Sequence, residues 1–321
     1  MSGIPTTLDA GAVPYTVVGA PKGAPGAEAG STTVVLLNRG SRLYRNETLE
    51  ELDRAGLPSI LSVEAKGEGI DVEGLAARHP RVRFLILSEP TSPGVQVNLA
   101  IRESPGPFVF VLWSDMALSA QALSSRFFDR LAERDLLCCA PALLGKGGEL
   151  LPTAMTPAEG GSSLKVFGLV PERDGERSLY PFDYAGIYSR ERFVLTGGYD
   201  GTMANPYWQR LDFGFRAWLW GEEIRILQAL KLSYTEQPGA EDESPDESYK
   251  WFWLKNLAPV FRGDQGGIGA SRFWPYLMSR RIGSTSALGE FKAAREWVAL
   301  NRYRFRTDAA SLVDLWGEEG K

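Results

Sequence analysis

Between residues 33 and 144, unbroken apolar runs alternate with stretches whose apolar positions recur at helical spacing. Thr33–Leu37 (TVVLL), Ile60–Val63, Val82–Leu87, Phe108–Trp113 and Leu136–Leu144 read as strands. Their lack of polar alternation fits strands covered on both faces, and the fully apolar Phe108–Trp113 belongs near the sheet centre. Asn46–Ala55, with Leu49 and Leu52 on one face, Val72–Arg78, Val95–Glu103 and Ala120–Arg134 read as the intervening helices. This order predicts an α/β fold: a Rossmann-like, mostly parallel, doubly wound central sheet flanked by helices. Ligands of such sheets bind beyond the carboxyl ends of the strands, which draws attention to Asn38, Arg39, Glu64, Ser114 and Asp115.

The rhythm breaks on either side of that block. Residues 1–30 are rich in Gly, Ala and Pro and read as an N-terminal extension to a main domain over residues 31–235. Leu151–Tyr180 is rich in Gly, Ser and Pro, with a turn signal at Arg173-Asp174-Gly175, and predicts loops and a hairpin beside the site. Residues 236–321 open with an acidic, Pro-containing linker, Glu236–Ser248, and continue as a helical, aromatic C-terminal extension.

Composition narrows the function classes. The chain has 321 residues, 44 % of them hydrophobic and 11 % aromatic, enough for a packed core. Its net charge of −5 and the lack of a long basic, aromatic-interleaved face argue against nucleic acid as a partner. Cys138 and Cys139 are adjacent in an apolar run, where strand geometry points them to opposite faces, so both are expected to be reduced. With no long apolar span and no signal-peptide pattern, the expected location is cytoplasmic. Arg280-Arg281 and the stretch Arg295–Arg306 give the tail a basic-aromatic character that suits either core packing or peripheral contact with the inner membrane surface.

Two stretches carry the chemistry. Gly94–Ser119 reads GVQVNLAIRESPGPFVFVLWSDMALS, and Phe182–Gly221 reads FDYAGIYSRERFVLTGGYDGTMANPYWQRLDFGFRAWLWG. In that order they resemble the two halves of an inverting, GT-A-type glycosyltransferase of family 2. The first matches a Gly-led helix with an inner Asn, then an apolar strand ending in a D-x-D motif. The second matches a Gly-Gly-aromatic-Asp turn followed by an acidic helix start.

The resemblance implies a nucleotide-diphosphate sugar as donor and transfer of a hexose to a glycan, lipid or protein hydroxyl. Glu64, Asn98, Asn38 and Arg39 are then placed around the nucleotide, with Trp113, Ser114 and Asp115 in the D-x-D position. Asp115 becomes the ligand of Mn²⁺ or Mg²⁺, since hard oxygen donors suit both ions. Trp113 replaces the motif's first acid, and the single histidine, His79, lies in a peripheral segment, so Arg39 is a second source of positive charge at the diphosphate. Asp212 is implied as the general base that takes the acceptor's proton. Gly197 and Gly198 would bring backbone close to the sugar, beside Tyr199, while Tyr207 and Trp208 would stack on it or serve as core. The departures at Trp113 and His79 also support an alternative, a non-catalytic GT-A-like binding protein.

Overall fold

The computed structural model describes residues 13–20, 32–39, 42–54, 57, 59–65, 71–118, 131, 133–160, 163–236, 238–279 and 287–318. The expected helix Ala120–Arg134 falls largely outside the described residues, as do Arg280 and Arg281.

Four parallel strands form one half of the sheet: β2 (Thr33–Leu37), β3 (Ser59–Glu64), β4 (Val82–Leu87) and β5 (Phe108–Trp113). Helices α1 (Arg42–Arg54), α2 (Val72–Arg78) and α3 (Pro93–Glu103) connect them. The segment read as an N-terminal extension contributes β1 (Tyr15–Gly19), an antiparallel edge strand along β4. Beyond β5 come β6 (Met116–Leu118), β7 (Cys138–Leu144) and the hairpin β8 (Ala154–Gly160) with β9 (Ser163–Leu169). Next are the short β10 (Glu176–Arg177), β11 (Gly186–Ser189), α4 (Arg190–Thr196), α5 (Pro206–Leu219) and β12 (Ile224–Tyr234).

The spatial order is β1-β4-β3-β2-β5-β11-β7-β12-β10, with β6 paired to β12. β11 is interposed antiparallel between β5 and β7, so the sheet is mixed around a parallel centre. Pro141, inside β7, has no amide hydrogen to donate, and the register with β12 shifts beside it, from Leu227 opposite Pro141 to Lys231 opposite Ala142. The Arg173–Gly175 turn leads into β10 rather than closing the hairpin, and β8 packs against the C-terminal helix.

After β12 the chain forms α6 (Glu247–Phe252), a π-helical turn (Trp253–Leu257) and the hairpin β13 (Val260–Arg262) with β14 (Gln265–Gly267). Helices α7 (Phe273–Ser279), α8 (Ala287–Asn301) and α9 (Ala309–Glu318) complete it. The acidic stretch before α6 packs along α5: Glu241 pairs with Arg210, and the carbonyls of Asp242 and Ser244 accept from Asn205 and Trp208. One hydrophobic core runs from Val34 to Trp316, so the aromatic tail is joined to the sheet domain.

Candidate functional site

Strand order reverses at β2: the chain moves outward through β3 and β4, then returns to place β5 on the other side of β2. That switch point leaves a crevice at the carboxyl ends of β2 and β5. Arg39, just past β2, meets Asp115, just past β5, with Nε 2.9 Å from Oδ2. A terminal nitrogen of the same guanidinium lies 2.7 Å from Asp183 Oδ2, in the turn before β11. The guanidinium carbon stacks 4.3 Å over the Trp113 ring, whose indole N–H donates to the Asp183 carbonyl at 2.8 Å. Tyr234 donates to Asp183 Oδ2 at 2.8 Å. Ser114 Oγ donates to the Arg39 carbonyl and accepts from its amide, which fixes the loop. Burial would weaken the charge on Arg39, but Asp183 and Asp115 override it and push the guanidinium pKa upward.

The arrangement is partly open, with 31 % of the Arg39 side chain exposed, 13 % of Asp115 and 15 % of Asp183. Asp115 Oδ1 is buried without a hydrogen-bond partner. Asp183 and Tyr184 both have positive φ, 53° and 61°, uncommon for residues with a Cβ. Such strain often gathers at binding sites. Nothing in the sequence around Phe182-Asp183-Tyr184 marks Asp183 as a site residue, because its place depends on Arg39, far away in the chain.

The other expected site residues are placed differently. Asn38 is half-buried beside the crevice, and its amide donates to Ser62 Oγ, Val63 O and Glu64 Oε1. Glu64 is 1 % exposed. Its oxygens are taken by Asn38, Ser62 and Arg45, so it holds the strand ends together rather than offering a free carboxylate. Asn98 is also turned inward: it donates to Tyr199 O at 2.7 Å and accepts from Tyr199 N at 2.9 Å. Tyr199 is fully buried in a ring cluster with Tyr184, Phe193 and Phe213. Tyr207 and Trp208 are nearly buried, and Trp208 packs on Tyr249 and Phe252, which is the core alternative of the sequence reading.

Asp212 has no exposed surface. Arg216 lies 2.8 Å from its Oδ2, while Asn256 and Lys255 lie 2.8 and 3.2 Å from Oδ1. Lys255 also pairs with Asp200 at 2.8 Å, and Arg216 donates to the carbonyls of Thr196 and Gly198. Asp212 therefore anchors the turn in which Gly197 and Gly198 take φ of 88° and 66°, and no acceptor hydroxyl can reach it in this arrangement. Burial by itself would raise the Asp200 carboxyl, but Lys255 and Thr202 hold it well below the ordinary carboxylate range. Sequence reasoning also missed Arg210. It is buried against the rings of Tyr180, Phe182 and Tyr184 and paired to Glu241.

The metal implied by the resemblance lacks a matching donor set. Among the described residues no three His, Cys, Asp or Glu side chains come together. Asp115 and Asp183, the acids at the crevice, both engage Arg39. No described helix is long and apolar enough to cross a membrane.

No protein-family model matches the sequence, and no curated protein matches it at the sequence level. Solved structures do match. The crystal structure of GalNAc-T7 with UDP, GalNAc and Mn²⁺ superposes with a TM-score of 0.59 at 13 % identity, covering 91 % of this chain and 57 % of that one. This chain thus spans little more than half the length of that protein. S. aureus TarS 1-349 in complex with UDP-GlcNAc superposes with a TM-score of 0.50 at 15 % identity, covering 82 % of this chain and 72 % of that one. At such identities the likeness carries the architecture alone: the chain has a GT-A-type glycosyltransferase fold.

Proposed function

We propose that the chain is a glycosyltransferase that takes a nucleoside-diphosphate sugar at the β2–β5 crevice and passes the sugar, with inversion, to an acceptor hydroxyl. The observation that carries this reading is Arg39, stacked on Trp113 between Asp115 and Asp183 at the switch point of the sheet. A planar guanidinium suits bidentate recognition of a diphosphate and stabilises the charge that develops as the diphosphate leaves. Arg39 thereby supplies positive charge at the leaving diphosphate from the chain's own residues.

When Arg39 turns to the diphosphate, Asp183 gives up one of its two donors. The freed carboxylate takes the acceptor's proton as the acceptor oxygen bonds to the anomeric carbon and the bond to the diphosphate breaks. Asp183 thus replaces Asp212 as the proposed base, while Asp212, Glu64 and Asn98 act as positioning residues.

A thermal-shift panel of UDP, GDP, CDP and TDP, with and without Mn²⁺, tests the donor site. We expect stabilisation by one nucleotide, unchanged by Mn²⁺ and absent in Arg39→Ala. Strict dependence on Mn²⁺ would show that a metal displaces Arg39. In a nucleotide-release assay Asp183→Asn should bind the donor but lose about 10²–10⁴-fold in kcat. The occupied carboxylates and Trp113 also fit a non-catalytic binding protein, which nucleotide binding without turnover on any donor would establish.

A further inference from the structure

A groove of about 580 Å³ runs between the β13–β14 hairpin and helix α8. Its wall carries Arg262, Arg272, Arg295 and Arg302 and no carboxylate. Among the described residues, Arg262, Arg272 and Arg295 make no ion pair and no side-chain hydrogen bond. Among the described residues Arg302 meets only the adjacent Tyr303, through its hydroxyl at 2.9 Å and its ring. Asp308 lies within electrostatic reach of Arg272, but it already accepts from the amides of Phe261 and Ser311. Four like charges around one concavity repel one another, and an anion in the groove removes that cost.

The helices that carry the groove's arginines, or follow them directly in the chain, also expose large apolar side chains. Along α8 and the turn that continues it, Leu288, Lys292, Arg295, Ala299 and Arg302 follow at helical spacing and form one stripe. Leu288 at its start is 71 % exposed. Trp274 and Met278, one turn apart on α7 just after Arg272, are 67 % and 87 % exposed. A soluble polyanion would use the arginines but leave these apolar side chains in water. An anionic bilayer satisfies both, because headgroup phosphates pair with guanidinium groups while Trp, Met and Leu enter the interfacial layer.

We propose that this C-terminal face is a peripheral docking surface for an anionic phospholipid bilayer, with lipid phosphates in the arginine groove and Trp274, Met278 and Leu288 at headgroup depth. The assignment does not depend on the catalytic reading, since none of these residues belongs to the β2–β5 crevice.

Vesicle co-sedimentation of the full chain tests it. Vesicles containing phosphatidylglycerol should pull the protein down at low salt, pure phosphatidylcholine vesicles should not, and 0.5 M salt, used here as a screening condition of about a 4 Å Debye length, should weaken the binding. The triple variant Arg262→Gln, Arg295→Gln, Arg302→Gln should lose on the order of a hundred-fold in affinity. Trp274→Ser with Met278→Ser should lose at least several-fold, with unchanged circular dichroism confirming that both variants fold. Equal binding to neutral and anionic vesicles, or undiminished binding by the triple variant, would overturn the assignment. So would tight binding of sodium tripolyphosphate, dependent on the same arginines, without any vesicle binding; that outcome would assign the groove to a soluble polyanion.

Discussion

At the scale of single residues, two of the charge clusters among the described residues differ in their exposure. Arg39, Asp115 and Asp183 remain partly open to water. Asp200, Lys255, Asp212 and Arg216 are closed off and exchange nothing. Replacing one member of a closed cluster leaves a buried charge without its partner, which costs about 3–5 kcal/mol. Asp212→Asn should therefore lower Tm by several degrees, whereas Asp183→Asn should scarcely change it; differential scanning calorimetry separates the two. The closed cluster also sets an acid limit. Because the folded Asp200 carboxyl titrates below its unfolded value, the stability it contributes is complete above about pH 4 and is lost as pH falls further. Urea unfolding at pH 7 and pH 3 should show Lys255→Met less stable at neutral pH, and losing less than the wild type on acidification.

At the scale of elements, α5 joins the two halves of the fold. Its N-terminus is capped by Asn205, whose side chain accepts from the amides of Tyr207 and Trp208, and Pro206 sits in the first turn. Gly214 lets the helix approach the backbone before β11: a Cβ there would stand 2.2 Å from the Leu179 carbonyl oxygen. Gly214→Ala should therefore destabilise by about 1–3 kcal/mol, readable as a lower denaturant midpoint. Elements of this kind differ in how well the sequence reveals them. The strands β2, β4 and β5 are legible because double-sided burial demands continuous apolar runs, and their bounds coincide with those runs. β1 and β11 are harder to read, since Tyr15–Gly19 is an edge strand in a Gly-rich setting and Gly186–Ser189 is short. The Arg39–Asp115 half of the site was legible from strand ends. Asp183 was not, because only the interposed β11 brings it to Arg39. Asp212 misled because it was expected to open a helix, whereas the helix starts at Pro206 and carries Asp212 in its middle, turned to a buried arginine.

At the scale of the whole molecule, the C-terminal helices complete the core. Trp218 packs edge-on to Trp316 with centroids 4.8 Å apart, and Trp220 stacks on Trp297 at 5.9 Å. A chain ending before α8 should therefore expose these indoles, bind hydrophobic dyes and lose a single cooperative unfolding transition. The place of β11 also matters while the chain is being made. β5 emerges from the ribosome with its apolar sequence FVFVLW complete, but the strand that covers its outer edge follows about seventy residues later. At ordinary translation speed that edge stays open for roughly 4–15 s. During that interval it is a template for pairing with a neighbouring nascent chain. Ribosome-bound chains stalled between β5 and β11 should thus be held by chaperones and should aggregate on release, whereas chains stalled past α5 should not.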